Sequence, residues 1–359
     1  MTTPSTSGYD AVLLLSFGGP DGPDDVMPFL ENVTRGRGVP RERLESVAEH
    51  YMHFGGVSPI NRLNLDIIDR LRAALGENDI DLPVFFGNRN WHPMVEDTVV
   101  EMFDAGHRRV LVFPTSAWGG YSGCAQYHED IARGLSALTD RRPAAAADPM
   151  TLRKLPHYWD RPEMIAAGAD ALTAARAQLP QDVADSARVV FTAHSVPTAA
   201  DEVAGPPEQG GHLYSRQVAA ASAAVAQAAG ITGHDVVWQS RSGPPQVPWL
   251  EPDIVDHLEA IHTDGVPAAV VSPIGFVSDH LEVVWDLDTE ADEKAGELGM
   301  PMARAATVGT DPRYVAMIVE LIRDQLAGAT TQSSGLGCTD NGERCAPGCC
   351  PVVRPRRPS

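Results

Sequence analysis

Short, almost wholly apolar runs rich in Val, Leu and Phe alternate along this chain with stretches whose apolar residues recur at helical spacing. The runs at residues 11–16, 83–87, 109–113, 188–193, 235–239 and 268–272 predict strands, and residues 61–75, 163–178, 214–228 and 253–261 predict amphipathic helices between them. Strands without an alternating polar face must be covered on both sides, which helices connecting parallel strands accomplish. The alternation runs twice, with a break near residues 156–161. Two doubly wound, Rossmann-like α/β lobes with parallel sheets are therefore expected, over 8–158 and 159–327, with a linker and Cys-rich extension over 328–359. A last helix is expected at 311–326, with Asp311 as N-cap and Pro312 at the first helical position, free to pack back on the first lobe.

A length of 359 residues suits two domains, and 43% apolar residues suffice for two buried cores. Charge narrows the function. With 28 basic against 48 acidic residues, a net −20, the chain as a whole disfavours nucleic acid and anionic membrane surfaces. Residues 1–20 lack a basic leader, the apolar run at 11–15 is too short for a signal peptide, and no stretch approaches the ~18 apolar residues of a membrane span. A soluble cytoplasmic protein is the expectation. Of the five cysteines, Cys338, Cys345, Cys349 and Cys350 lie near the C-terminus and Cys124 stands alone upstream. An odd count in a reducing compartment argues against a disulfide framework and leaves a metal site open. The C-x6-C-x3-C-C spacing alone is a weak zinc or iron–sulfur signal.

In open α/β sheets, ligands bind beyond the carboxyl ends of the strands, so the segments that follow the strands carry the candidate chemistry. After the first strand comes Phe17-Gly18-Gly19-Pro20, which is not a phosphate cradle, because Pro20 and Pro23 have no N–H to donate. The fourth predicted strand runs into His194, which could serve as base or metal ligand, or be an ordinary histidine satisfied by the following turn. Residues 279–294 predict one helix capped by Ser278 or Asp279, with Leu281, Val284 and Trp285 as its apolar stripe. Glu282, Asp286 and Glu290 would then share one face, either as a solvated acidic surface or as a ladder of oxygen ligands for a divalent cation. Arg35 and Arg37 lie on a Gly-rich segment upstream of Tyr51, Phe54 and Ser58. With Phe17 and Tyr127 they describe a site for a flat apolar ligand with anionic edges, or a surface loop beside core aromatics.

The joint presence of LLLSFGGP, RGRGVP, HYMHFGGVSPIN, GGYSGCAQYHEDI, FTAHSVP and GFVSDHLEVVWDLDTE, in that order over roughly residues 10–325, resembles the ferrochelatase family. The Ala- and Arg-rich chain with its cysteines is similar to the actinobacterial members, which act on coproporphyrin III. The resemblance implies a chelatase-like fold and insertion of Fe2+ into coproporphyrin III to give Fe-coproporphyrin III in haem synthesis. The alternatives are a protoporphyrin IX ferrochelatase and a non-catalytic tetrapyrrole or iron carrier on the same scaffold. It implies that His194 and Glu282 form the facing pair at the metal-insertion site and that Asp286 and Glu290 form the metal path. It also implies that Ser58, Tyr127, Tyr51, Arg35, Arg37 and Phe17 line the porphyrin cleft. Phe17 replaces a tyrosine of some members, so an axial-ligand role there is withdrawn, and Thr34 replaces an arginine of others. A [2Fe–2S] cluster on Cys124, Cys338, Cys345 and Cys350 (or Cys349) is implied in the same way. A monomer that meets haem-pathway enzymes transiently, without nucleic-acid partners, completes the expectation.

Overall fold

A computed structural model of the chain describes residues 8–243, 245–329, 335–337 and 346–353. The first four strands, β1 (Ala11–Ser16), β2 (Val84–Asn88), β3 (Arg109–Pro114) and β4 (Thr151–Lys154), form one sheet in the order β2-β1-β3-β4. The next four, β5 (Arg188–His194), β6 (His234–Gln239), β7 (Ala269–Ser272) and β8 (Met302–Arg304), repeat it as β6-β5-β7-β8. Every pairing between these strands is parallel. All six residues of β1 are buried, as continuous apolar strands require. The edge strands β4 and β8 were not expected, because Thr-Leu-Arg-Lys holds a single apolar residue and Met-Ala-Arg is too short to make a run. β2 begins one residue later than the apolar run, at Val84, because Pro83 has only a carbonyl to offer the ladder and gives it to Val12 N–H (2.9 Å).

In each sheet the strand order reverses at its first strand, β1 or β5, and a crevice opens beyond the carboxyl ends at that point. Ser16-Phe17 leave one crevice and His194 leaves the other. A single hydrophobic cluster joins the lobes, with Leu14, Phe113 and Tyr158 from the first side and Trp238, Tyr314 and Ile318 from the second. The final helix, Pro312–Leu326, starts where expected: the Asp311 carboxylate accepts the Arg313 N–H at 2.8 Å. It lies against the Pro59–Glu77 helix of the first sheet, and Arg323 donates to Asn78 Oδ1 at 2.7 Å. Tyr158 donates its hydroxyl to the Pro114 carbonyl (3.0 Å) and lies 3.1 Å from the hydroxyl of Tyr314.

The expected helix over 279–294 is corrected. His280, not Ser278 or Asp279, caps an α-helical turn at Leu281–Trp285, a π-helical stretch follows at Asp286–Ala291, and α-helix resumes over Asp292–Leu298. The buried row is Val283, Leu287 and Ala291, packed on Val190, Val237 and Leu258, so Val284 and Trp285 are not the core stripe. Leu281 instead joins Phe29, Leu44 and Tyr51 of the first lobe. The wider π turn lets one four-residue repeat face the core over three successive turns.

Candidate active site

Gly275 brings the reactive segments together. A Cβ there would lie 2.6 Å from Ala193 Cα, so only glycine lets the segment after β7 run against the end of β5. His194 Nε2 and Glu282 Oε2 then stand 3.9 Å apart, both partly exposed. His194 Nδ1 packs against the Ser195 carbonyl at 2.5 Å, a contact that requires the proton on Nδ1 and leaves the Nε2 lone pair toward Glu282 when the ring is neutral. The backbone of His194 is fixed from behind, since Tyr214 donates its hydroxyl to the His194 carbonyl at 2.9 Å. His280 sits beside this pair, and burial holds its imidazole below the usual histidine range despite the Glu282 charge.

Asp286 continues the acidic row inward. Its Oδ2 accepts a short hydrogen bond from Ser240 and one from Gln239 Nε2 at 3.3 Å. Gln239 is itself held by Thr192 Oγ1 at 2.7 Å. Burial raises the Asp286 carboxyl to about 7, and the Glu282 and Glu290 charges add to the rise. Glu290 lies at the exposed end, accepting the Trp285 indole N–H at 2.8 Å. Among the described residues no three His, Cys, Asp or Glu side chains converge as a metal site, so the row is a succession of separate groups.

The opposite wall comes from the first lobe. Ser58 is buried against Gly19, where an added Cβ would meet Ser58 Cβ at 2.6 Å, and its N–H donates to the Pro20 carbonyl at 2.8 Å. Tyr127 is buried over the Arg89 guanidinium, 4.5 Å from its ring, and bonded to Thr115. Phe17 is exposed and meets Phe29 edge-on at 6.3 Å. Burial pushes the Tyr51 phenol well above the usual range, and the Glu282 and Asp286 charges across the cleft add to the rise. The arginines diverge. Arg35 borders a groove of about 490 Å³ with Asn90, Trp91 and His92, which Ser58, Tyr127, His194 and Glu282 do not line, whereas the Arg37 charge acts on the Tyr121 hydroxyl.

Cys338 and Cys345 lie outside the described residues. Cys350, however, sits between the lobes: its sulfur accepts the Gly205 N–H of the second at 3.2 Å and a further bond from Gly120 of the first, and lies 3.6 Å from Cys349 Sγ. A hydrogen bond from the Cys349 thiol, followed by the two backbone N–H groups and the buried Lys154, lowers the Cys350 thiol to about 7, while the same contact, burial and the nearby Cys124 push Cys349 up.

Sequence reasoning missed Gln239, Ser240, Tyr214 and Arg89. Ser240 adopts φ 59°, and Arg89 is buried on Asp130 through Nε at 2.6 Å. Only position offered a signal, since Gln239 ends a predicted strand and Ser240 follows it, so both fall at the carboxyl edge.

Comparison with known proteins adds to this geometry. A coproporphyrin III ferrochelatase of Nocardia farcinica is 63% identical over 351 residues, covering 96% of this chain and 98% of its own. Its counterpart in Mycolicibacterium vanbaalenii is 56% identical over 346 residues, covering 95% and 98%. In fold, the chain is similar to the solved structure of SirB from Bacillus subtilis with Fe3+, at a TM-score of 0.53 and 12% identity, over 89% of this chain and 96% of that one. The family described as Ferrochelatase matches residues 9–326. With two like-ordered sheets meeting at one cleft and a match over nearly all of both, this chain belongs to the ferrochelatase family.

Proposed function

We propose that this chain inserts Fe2+ into coproporphyrin III, releasing two protons and giving Fe-coproporphyrin III. The observation that carries the reading is the 3.9 Å approach of His194 Nε2 and Glu282 at the joint mouth of two switch-point crevices. The names of the close relatives supply the substrate class. Metal insertion removes the two pyrrole protons and replaces them with the ion, so a base must reach the ring nitrogens. His194 Nε2 is that base, and Glu282 opposite serves as ligand or relay. Asp286 and Glu290 deliver the cation, with Asp286 able to exchange a proton for it because its carboxyl titrates near neutrality. Ser58, Tyr127, Tyr51 and Phe17 hold the macrocycle, with Arg37 on the Tyr121 side for a propionate, and remote binding energy bends the ring toward the metal.

The test is an anaerobic spectral assay with Fe2+ and coproporphyrin III, with protoporphyrin IX run in parallel. His194→Ala is expected to abolish insertion while binding porphyrin with nearly parental affinity, and Glu282→Gln to be severely impaired. Near-normal turnover in His194→Ala sinks the assignment. Porphyrin binding without any insertion by the parent protein identifies a carrier instead, and preference for protoporphyrin IX reverses the substrate.

We further propose a [2Fe–2S] cluster on Cys124, Cys338, Cys345 and Cys350. Its support is the seating of Cys350 between Gly205 of the second lobe and Gly120 of the first, where the Cys349 thiol, two backbone N–H groups and Lys154 favour a thiolate. Those residues fit the thiolate ligation that such a cluster requires, and bound it would supply a structural clamp on the tail. Cys350→Ser is expected to remove bound iron, sulfide and visible absorbance, with Cys349→Ser retaining them. Parent protein purified anaerobically without iron or sulfide overturns this part. No described helix is long and apolar enough to cross a membrane.

A further inference from the structure

Trp285 has no part in the chemistry above, yet it is gripped from two sides. Its indole N–H donates to Glu290 Oε1 at 2.8 Å. The His50 ring stacks on it with centroids 3.9 Å apart and planes at 11°, and His53 and Phe54 meet it edge-on at 5.7 and 6.3 Å. His50 and His53 belong to the Arg41–His53 helix of the first lobe, and Phe54 follows it, so three side chains of one lobe fix an indole carried by the other. The bond to Glu290 depends on the local helix geometry. Positions five apart on an α-helix diverge by about 140°. The π-helical stretch Asp286–Ala291, with its i→i+5 repeat, lets the side chains of 285 and 290 meet.

An exposed glutamate without a partner samples many rotamers, and ordering it costs entropy at the moment a ligand arrives. A carboxylate that holds one N–H on Oε1 still has Oε2 to offer a cation. We propose that Trp285 is a positioning residue for metal loading: its N–H presets the Glu290 carboxylate as the landing point for the incoming cation, and its stack on His50 ties that preset to the contact between lobes. The proposal rests on the reading of the acidic row as the metal path.

The test separates the two. Insertion rates into coproporphyrin III are measured against Fe2+ anaerobically, and against Zn2+ in air, for the parent, Trp285→Phe, Glu290→Gln and the double variant. Trp285→Phe keeps an aromatic ring for the stack and loses only the N–H. Its half-saturating metal concentration is expected to rise about five- to tenfold, the scale of one ordinary hydrogen bond lost at an exposed site. The kcat and the porphyrin half-saturation are expected to stay within about twofold of the parent. The double variant is expected to be no worse than Glu290→Gln, because both changes remove the same preset. Zn2+ titration without porphyrin gives an independent readout: the parent's tryptophan fluorescence should change on binding, and the change should vanish in Trp285→Phe. If Glu290→Gln shifts the metal dependence but Trp285→Phe does not, or the two effects multiply, the positioning role is overturned and the metal path stands. If Glu290→Gln leaves the metal dependence unchanged, the metal path itself fails and the proposal with it. Should Trp285→Phe fold poorly by thermal denaturation, His50→Ala is expected to raise the metal requirement in the same direction, and its failure to do so overturns the coupling to the first lobe.

Discussion

At the scale of single residues, the site sorts its proton carriers by environment. His194 presents Nε2 because the Ser195 carbonyl occupies Nδ1. Asp286 lies deeper, where burial holds its carboxyl at about 7. In the unfolded chain an aspartate titrates near 3.9. Between those values the folded metal-free protein binds the extra proton, so stability falls as pH rises from about 4 to about 7 and levels off above. Asp286→Asn, which cannot ionise, is therefore expected to stabilise the metal-free protein by about 2–4 kcal/mol at pH 8 and to change it little at pH 4. Urea unfolding at the two pH values checks this, and an equal effect at both contradicts the buried-charge account. In turnover, Asp286→Ala should leave a milder defect than Glu282→Gln, concentrated in the dependence on metal. Equal loss in both and in His194→Ala would point to damaged folding.

At the scale of elements, apolar content and local geometry were legible to different degrees. The central strands were readable because burial on both faces leaves no room for polar residues, as in β1. The final helix was readable from its Asp311-Pro312 start, and Asp311→Ala is expected to cost about 1 kcal/mol, measured as a lowered urea midpoint. An unchanged midpoint would mean that Arg313 and the packing of that helix carry its N-terminus without the cap. The edge strands β4 and β8 escaped notice because half of each faces outward, so no apolar run marks them. The π stretch escaped for another reason. The four-residue spacing of Val283, Leu287 and Ala291, which pack on Val190 and Leu258, is close enough to the α-helical 3.6 to be read as an ordinary helix. The approach of His194 to Glu282 followed from the motifs that resemble a known family; periodicity alone left each with an ordinary reading. The Arg89 pairing with Asp130 had no sequence signal, since charged residues that bury in pairs look like surface residues in a string of letters.

Across the whole molecule, the lobes are held in register by the hydroxyl chain Tyr314–Tyr158–Pro114 and the aromatic packing around it. Its polarity makes the two tyrosines unequal. Tyr158→Phe would strand the Tyr314 hydroxyl and the Pro114 carbonyl in the core and should cost about 1–3 kcal/mol, whereas Tyr314→Phe removes a terminal donor and should cost about 1 kcal/mol or less. Comparative chemical denaturation tests the order, and a reversed order would refute the assigned direction of donation. The repeated strand order has a further consequence. One half of the molecule supplies the aromatic and hydroxyl wall and the other the imidazole and carboxylates, so on the proposed function macrocycle choice and ion choice would be written on separate halves. Selection could retune either preference by altering one half while leaving the other's wording intact.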